Sequence, residues 1–196
     1  MARYLGPKVK LSRRVGVPIA DIPKHTAKRQ LNPPGVHGFR GRRLKDYGIR
    51  KDEKQKLRYH YNVMERQFRR YVDEATRRPG NTGELLLQLL ECRLDNVIRR
   101  AGLTRTIWAA RQMVTHGHVL VNGKKVDIAS YRLKVGDVVE VKEKSRNMAL
   151  VLEAQQSSER DIPDYIEIGD RGFSVRFVRV PELADVPFPV KMEPNL

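Results

Sequence analysis

The stretch THGHVLVNGKKVDI (115–128) constrains the fold more than any other part of the chain. Asn122-Gly123 between two apolar-rich runs is the strongest two-residue hairpin signal, because both turn positions need a positive φ. Strands are therefore expected at 118–121 and 124–128. Gly117 stops a helix immediately upstream. Ile107, Ala110, Met113 and Val114 recur with helical period, and Thr104 is the expected cap. Arg105, Trp108, Arg111, Gln112 and Thr115 are expected on the opposite side. A helix and a hairpin joined by one glycine are forced to be neighbours. Arg105 and Arg111 on the first then meet Lys124 and Lys125 on the second. This makes an L-shaped basic surface suited to phosphates across an RNA groove.

Other readings of this region are weaker. His116 and His118 flank Gly117, but a metal needs further converging ligands, and Asp127 sits on a strand with no reason to point back. His25 and His37 have no cysteine pair beside them. Trp108 can stack on a base or pack against a neighbour. Cys92 has basic neighbours, Arg93 and Arg99, yet no paired histidine or acid, so it reads as packing. No catalytic residue, metal or cofactor is expected.

The rest of the chain extends the pattern. Leu86, Leu87, Leu90, Leu94, Val97, Ile98 and Ala101 predict one helix over 84–101, stopped by Gly102. Leu57, Tyr61, Met64, Phe68, Tyr71 and Ala75 predict a helical stripe over 52–77, split at Asn62. RRPGNTG (77–83) breaks it, and Thr82 is the expected cap of the next helix. RLKVGDVVEVKEK (132–144) adds strand with a turn at Gly136-Asp137. YIEIGDRGFSVRFVRV (165–180) reads as a hairpin. The tail LADVPFPVKMEPNL has too many prolines for regular structure. The class is α+β.

Charge separates the regions. The chain carries 39 Lys and Arg against 23 Asp and Glu, a net +16. Residues 1–80 hold +15 of this, 81–150 hold +5, and 151–196 hold −4. Such an imbalance favours a polyanionic partner, above all nucleic acid. No amphipathic helix has the apolar face a membrane surface needs, and no run is long enough to span one. The single cysteine allows no internal disulfide, which fits a reducing cytosol. The start MARYLGPKVKLSRR lacks the apolar middle of a signal peptide. Residues 1–50 are rich in proline and glycine with sparse apolar residues, and read as an extended basic arm that orders on RNA. Within it, NPPGVHGFRGRR (32–43) pairs a stiff turn with Arg40, Arg42 and Arg43.

Residues 90–139 resemble the S-four RNA-binding domain. The resemblance rests on Arg-Leu-Asp (93–95), Ala-Arg-Gln (110–112), His-Gly-His (116–118), Val-Asn-Gly-Lys (121–124) and Ser-Tyr-Arg (130–132). MARYLGPKVK, NPPGVHG, EKQKLR (53–58) and MERQFRRY (64–71) extend it to the bacterial-type small-subunit ribosomal S-four family over nearly the whole chain. The resemblance implies a basic arm at 1–50 and a helical domain at 51–83, completed by about 181–196. An S-four domain at 84–180, two helices packed on an antiparallel sheet, is inserted between them.

The resemblance also implies early binding to the five-prime domain of small-subunit rRNA, nucleating assembly. Contact with the fifth small-subunit protein, an influence on decoding accuracy and a place at the mRNA entrance go with it. Some relatives repress their own mRNA. The expected location is a cytoplasmic ribosome, or that of an organelle. No membrane or small-molecule substrate is implied. Zinc-bearing relatives have cysteines where this chain has Val9 and Ser12, so a zinc arm is not expected. Relatives often have glycine at the place of Asn62, and usually continue past Leu196.

The RNA-contacting residues expected on this basis run along the chain. In the arm they are Arg3, Tyr4, Lys8, Lys10, Arg13, Arg14, His37, Arg40, Arg42 and Arg43. The helices contribute Lys54, Lys56, Arg58, Arg66, Arg69 and Arg70. The module contributes Arg93, Arg105, Arg111, Gln112, His116, Lys124, Lys125, Tyr131 and Arg132. Two alternatives share the module. An RNA-modifying enzyme such as a pseudouridine synthase needs a catalytic domain, for which 151–196 is too short. Lys144-Ser145 faintly resembles a tRNA synthetase loop, without the nucleotide-binding strand-turn-helix before it. A heat-shock-type factor acting on stalled subunits leaves residues 1–80 unexplained.

Overall fold

The computed structural model describes residues 4–19, 32–41, 45–156, 162–169 and 172–188. These fall into two compact units. One holds the described residues up to Gly83 together with Phe188, and the other is Glu84–Pro187.

The first unit is helical. α1 (Lys8–Val15) is a departure from the extended arm expected there. Leu11 and Val15 are one turn apart and, with Ile19, bury against Tyr59. That spacing supplies the apolar stripe that the surrounding prolines and glycines obscure. α2 begins at Asp46, earlier than expected, and runs to His60 (Asp46–His60). α3 (Glu65–Arg77) follows after a break. Asn62 makes the break with φ 50°, the left-handed conformation that asparagine tolerates best after glycine. Leu57, Tyr61, Phe68, Tyr71 and Ala75 are buried as the stripe predicts, whereas Met64 is 37% exposed because it lies at the start of α3. Phe188 joins this unit edge-on to His60 and Tyr61, with ring centroids 5.6 and 6.4 Å apart.

In the second unit the single helix expected over 84–101 is two. α4 (Thr82–Glu91), which starts in the first unit, and α5 (Leu94–Arg100) are separated at Cys92-Arg93. There the chain straightens: Arg93 forms a β-bridge with Arg132, Leu94 N–H donates to Tyr131, and Leu133 N–H donates to Cys92. The leucine period runs across this break without interruption, so periodicity alone conceals it. Two caps also move by one or two residues. Asn81, not Thr82, accepts from Gly83 N–H at 2.9 Å. Thr106, not Thr104, accepts from Ala109 N–H and starts α6 (Ile107–Thr115).

The sheet is five-stranded with order β2-β1-β3-β5-β4, every neighbour antiparallel. Its strands are β1 (Val119–Val121), β2 (Lys124–Lys125), β3 (Val138–Val141), β4 (Ile166–Ile168) and β5 (Ser174–Phe177). Val119, Val121, Val139, Val141, Val175 and Phe177 alternate inward and bury against α5 and α6. α7 (Ala149–Gln156), unassigned from sequence, adds Val151 to this core. It is short, with only Val151 and Ala154 buried, and so leaves little periodic trace. Among the described residues of the tail, Leu183–Asp185 forms a 3-10 turn closed by a reciprocal capping box between Glu182 and Asp185.

The Asn122-Gly123 turn has φ 50° and 74° and pairs Val121 with Lys124. The Asn122 side chain also ties the next turn: Nδ2 donates to Asp137 at 2.8 Å and Oδ1 accepts from Val138 N–H at 2.9 Å. Replacing Asn122 with Ala removes both bonds and strains the left-handed backbone. The expected loss is about 1–3 kcal/mol of unfolding free energy. Urea denaturation checks this, and an unchanged midpoint contradicts it.

Candidate nucleic-acid interface

The basic residues of the second unit divide into two populations. Arg93 and Arg111 are 1% and 5% exposed, and both face Asp95, itself fully buried. Arg93 donates from Nε to Oδ1 at 3.0 Å and from Nη2 to Oδ2 at 2.6 Å. Arg111 donates from Nε and Nη2 to Oδ2 at 3.2 and 2.8 Å. The expectation that Arg111 lies on an exposed helix face is therefore corrected. The buried carboxylate on α5 draws it inward. A second buried cluster stands nearby in the fold. Arg100 donates to Glu91 at 2.8 Å, Tyr165 Oη donates to Glu91 at 2.8 Å, and Asn96 donates to the Glu91 carbonyl at 3.2 Å. Burial, reinforced by the Glu91 charge, pushes the Tyr165 hydroxyl far above its ordinary pKa.

The other population is outward. Arg105, Gln112, His116, Lys124, Lys125, Tyr131 and Arg132 are all exposed. Gly117 turns the chain from α6 into β1 with φ 73°. A Cβ there would come within 2.5 Å of Lys125 Cε, so Lys125 lies across the corner. His116 and His118 rings are 6.1 Å apart, and His118 Nδ1 pairs with Ser145 Oγ at 2.9 Å. Among the described residues no three His, Cys, Asp or Glu side chains converge as a metal site. Likewise, no described helix is long and apolar enough to cross a membrane. Trp108 is half-buried. Lys134, exposed before the β3 turn, is a further cation that the motifs did not single out.

In the first unit, Lys10, Arg14, His37, Arg40, Lys54, Arg66, Arg69 and Arg70 are exposed, and Tyr4, Lys8, Arg13, Lys56 and Arg58 are half-buried. Arg3, Arg42 and Arg43 lie outside the described residues. Some of these cations have protein partners. Lys54 bonds Glu65 at 2.7 Å, Arg58 also reaches Glu65, and Lys56 pairs with Glu53. The Lys54 hydrogen bond, helped by Arg58 and opposed by burial, holds the Glu65 carboxyl below the usual carboxylate range. Arg13 acts on the backbone: Nε donates to the Asn32 carbonyl at 2.9 Å and Nη2 to the Pro33 carbonyl at 3.3 Å. It thereby pins the Pro-Pro-Gly turn to α1. The Arg-Leu-Asp motif (93–95) owes its role to this buried pairing, which its spacing alone does not reveal. A lone Asp95 within a leucine-rich helix, with an arginine two positions before it, is the signal that marks it.

Comparison with known proteins agrees across the chain. Residues 3–91 match the family described as ribosomal protein S4/S9 N-terminal domain, and residues 92–139 match the S4 domain. A protein of Phenylobacterium zucineum called small ribosomal subunit protein uS4 is 56% identical over all of this chain and 97% of its own length. Proteins of the same name from Caulobacter sp. strain K31 and Ruegeria sp. strain TM1040 are each 52% identical, over all of this chain and 97% and 96% of their own lengths.

The inward and outward cations separate by measurement. Arg111→Ala leaves Asp95 short of a buried partner and should cost about 3–5 kcal/mol of stability. Lys124→Ala, at an exposed site, should change it by less than about 0.5 kcal/mol. Equal melting temperatures for the two variants would contradict the division.

Proposed function

The chain belongs to the family of small ribosomal subunit protein uS4, and from that premise we propose that it binds the five-prime domain of small-subunit rRNA directly and early, nucleating assembly. It is a ribosomal protein of the small subunit and not an enzyme. The observation that carries the reading is the outward set on α6 and β2. Lys124 and Lys125 are exposed on the hairpin that follows the Gly117 corner, and Arg105 is exposed just ahead of α6 at its other end, on an S4 domain whose inward arginines are already paired with Asp95. Cations that lack this internal neutralisation are the ones that can displace counterions from RNA phosphates. Gln112, His116 and Tyr131 add groups that can reach 2′-hydroxyls across a shallow minor groove.

The first unit supplies most of the net charge, through Lys10, Arg14, His37, Arg40, Arg66, Arg69 and Arg70. Arg93 and Arg111 act here by shaping the module, not by reaching the RNA. Residues 84–180 serve as the RNA-binding module, and 51–83 with the tail as the helical domain that presents the arm. Contact with the fifth small-subunit protein, a place at the mRNA entrance and an influence on decoding accuracy complete the proposal, in the ribosomes of the cytoplasm.

Neutralising several phosphates makes the affinity steeply salt-dependent. Binding to a five-prime-domain transcript should weaken by roughly 10³-fold or more between about 50 and 200 mM salt. Filter binding measures this, and a flat profile would count against electrostatic rRNA recognition.

A further inference from the structure

The first unit contains a cleft of about 800 Å³ that the charge argument does not account for. One wall is the 33–41 turn, with Pro33, Pro34 and His37. The other is α1 and α2, with Arg14, Lys51 and Tyr59. The volume lies within the roughly 300–1,000 Å³ of sites that enclose a small ligand. A duplex is a convex cylinder and cannot enter such a hollow.

The chemistry of the walls is mixed. Pro33, Pro34 and the buried Tyr59 give flat apolar surface, while Arg14 and Lys51 are exposed cations. Arg14 reaches Tyr59 Oη at 3.4 Å, and the Arg58 guanidinium lies 5.4 Å from the Tyr59 ring. Next in sequence to the lining residues His37 and Gly38, Phe39 is 71% exposed, with the His37 ring 6.3 Å away and the Arg40 guanidinium 5.7 Å from its centroid. An exposed aromatic ring beside a cation is a surface on which an unstacked base can rest.

The hollow is also pre-formed. Arg13 fixes the Asn32 and Pro33 carbonyls, and Gly38 packs so close to the Pro33 carbonyl that a side chain there would collide with it. A fixed cleft loses little entropy on binding. Asp52 also lines it.

We infer that this cleft holds a single nucleotide extruded from the rRNA, its base against the proline–aromatic wall and its phosphate on Arg14 and Lys51. The inference rests on the rRNA reading above and adds to it a defined, single-stranded point of contact.

The test is nucleotide-resolution probing of the five-prime-domain transcript bound to the full chain. Dimethyl sulfate reads base edges, and acylation reads 2′-hydroxyl mobility. The wild-type complex should show one nucleotide with a protected base edge and a raised 2′-hydroxyl reactivity. Gln55→Trp fills the cleft without changing its charge, and Phe39→Ala removes the exposed ring. Each should abolish that signature and lower affinity about tenfold, leaving the rest of the footprint intact. Lys51→Gln, at an exposed site, should do the same and remains informative if the filled variant misfolds.

An unchanged signature in Phe39→Ala and Lys51→Gln overturns the inference, and so does uniform weakening of the whole footprint. A wild-type complex without the signature overturns it too, while leaving rRNA binding standing. Failure of the wild-type chain to bind the transcript at all sinks the rRNA reading, and the cleft assignment with it.

Discussion

The module depends on one buried carboxylate. Asp95 lies at the start of α5 and receives two hydrogen bonds from Arg93 and two from Arg111. Two guanidiniums, Arg93 bidentate and Arg111 doubly bonded to Oδ2, offset the desolvation of all three groups, and removing either leaves charge stranded in the core. The geometry follows from this. Arg93 is held in the extended segment that bridges to Arg132, and Arg111 pulls α6 against α5. α6 then delivers Gly117, and Gly117 delivers the Asn122-Gly123 hairpin. The outward cations are therefore placed by the inward ones.

Much of this was legible in the sequence. Gly117 and Asn122-Gly123 fix their backbone through positive φ, a local property, so the corner and the hairpin follow from residue type alone. The apolar periods of α3 and α6 likewise name their buried faces. Arg111 was not legible in this way. A helical wheel puts it at the edge of the apolar face, one turn from Ile107 and from Val114, and only the partner on a different helix, sixteen residues earlier, decides that it turns inward. Tertiary pairing settles what the local period leaves open there. The break at Cys92-Arg93 was hidden for a related reason: the bridge that accompanies it is formed with Arg132, thirty-nine residues away in sequence.

The arm shows the opposite error. Proline and glycine density predicts extension, yet Leu11 and Val15 suffice for a short helix because Tyr59 lies ready to cover them. α1 in turn positions Arg13, which shapes the Pro-Pro-Gly turn. Sequence order here runs from a weak helix to a rigid loop to a hollow, and only the first step carries a periodic signal. Lys51 and Gln55 line that hollow, and although EKQKLR contains Gln55, neither residue carries a periodic signal.

The central claim is that inward and outward cations have separate tasks. The most direct measurement is the slope of log affinity against log salt for the five-prime-domain transcript. It compares wild type with a Lys124→Gln, Lys125→Gln double variant, alongside thermal unfolding of both. The account predicts a slope shallower by about one to two units, following the roughly 0.7–0.9 released counterions per phosphate contact, with unchanged melting. An unchanged slope, or a slope change that appears only with loss of folded protein, would contradict it.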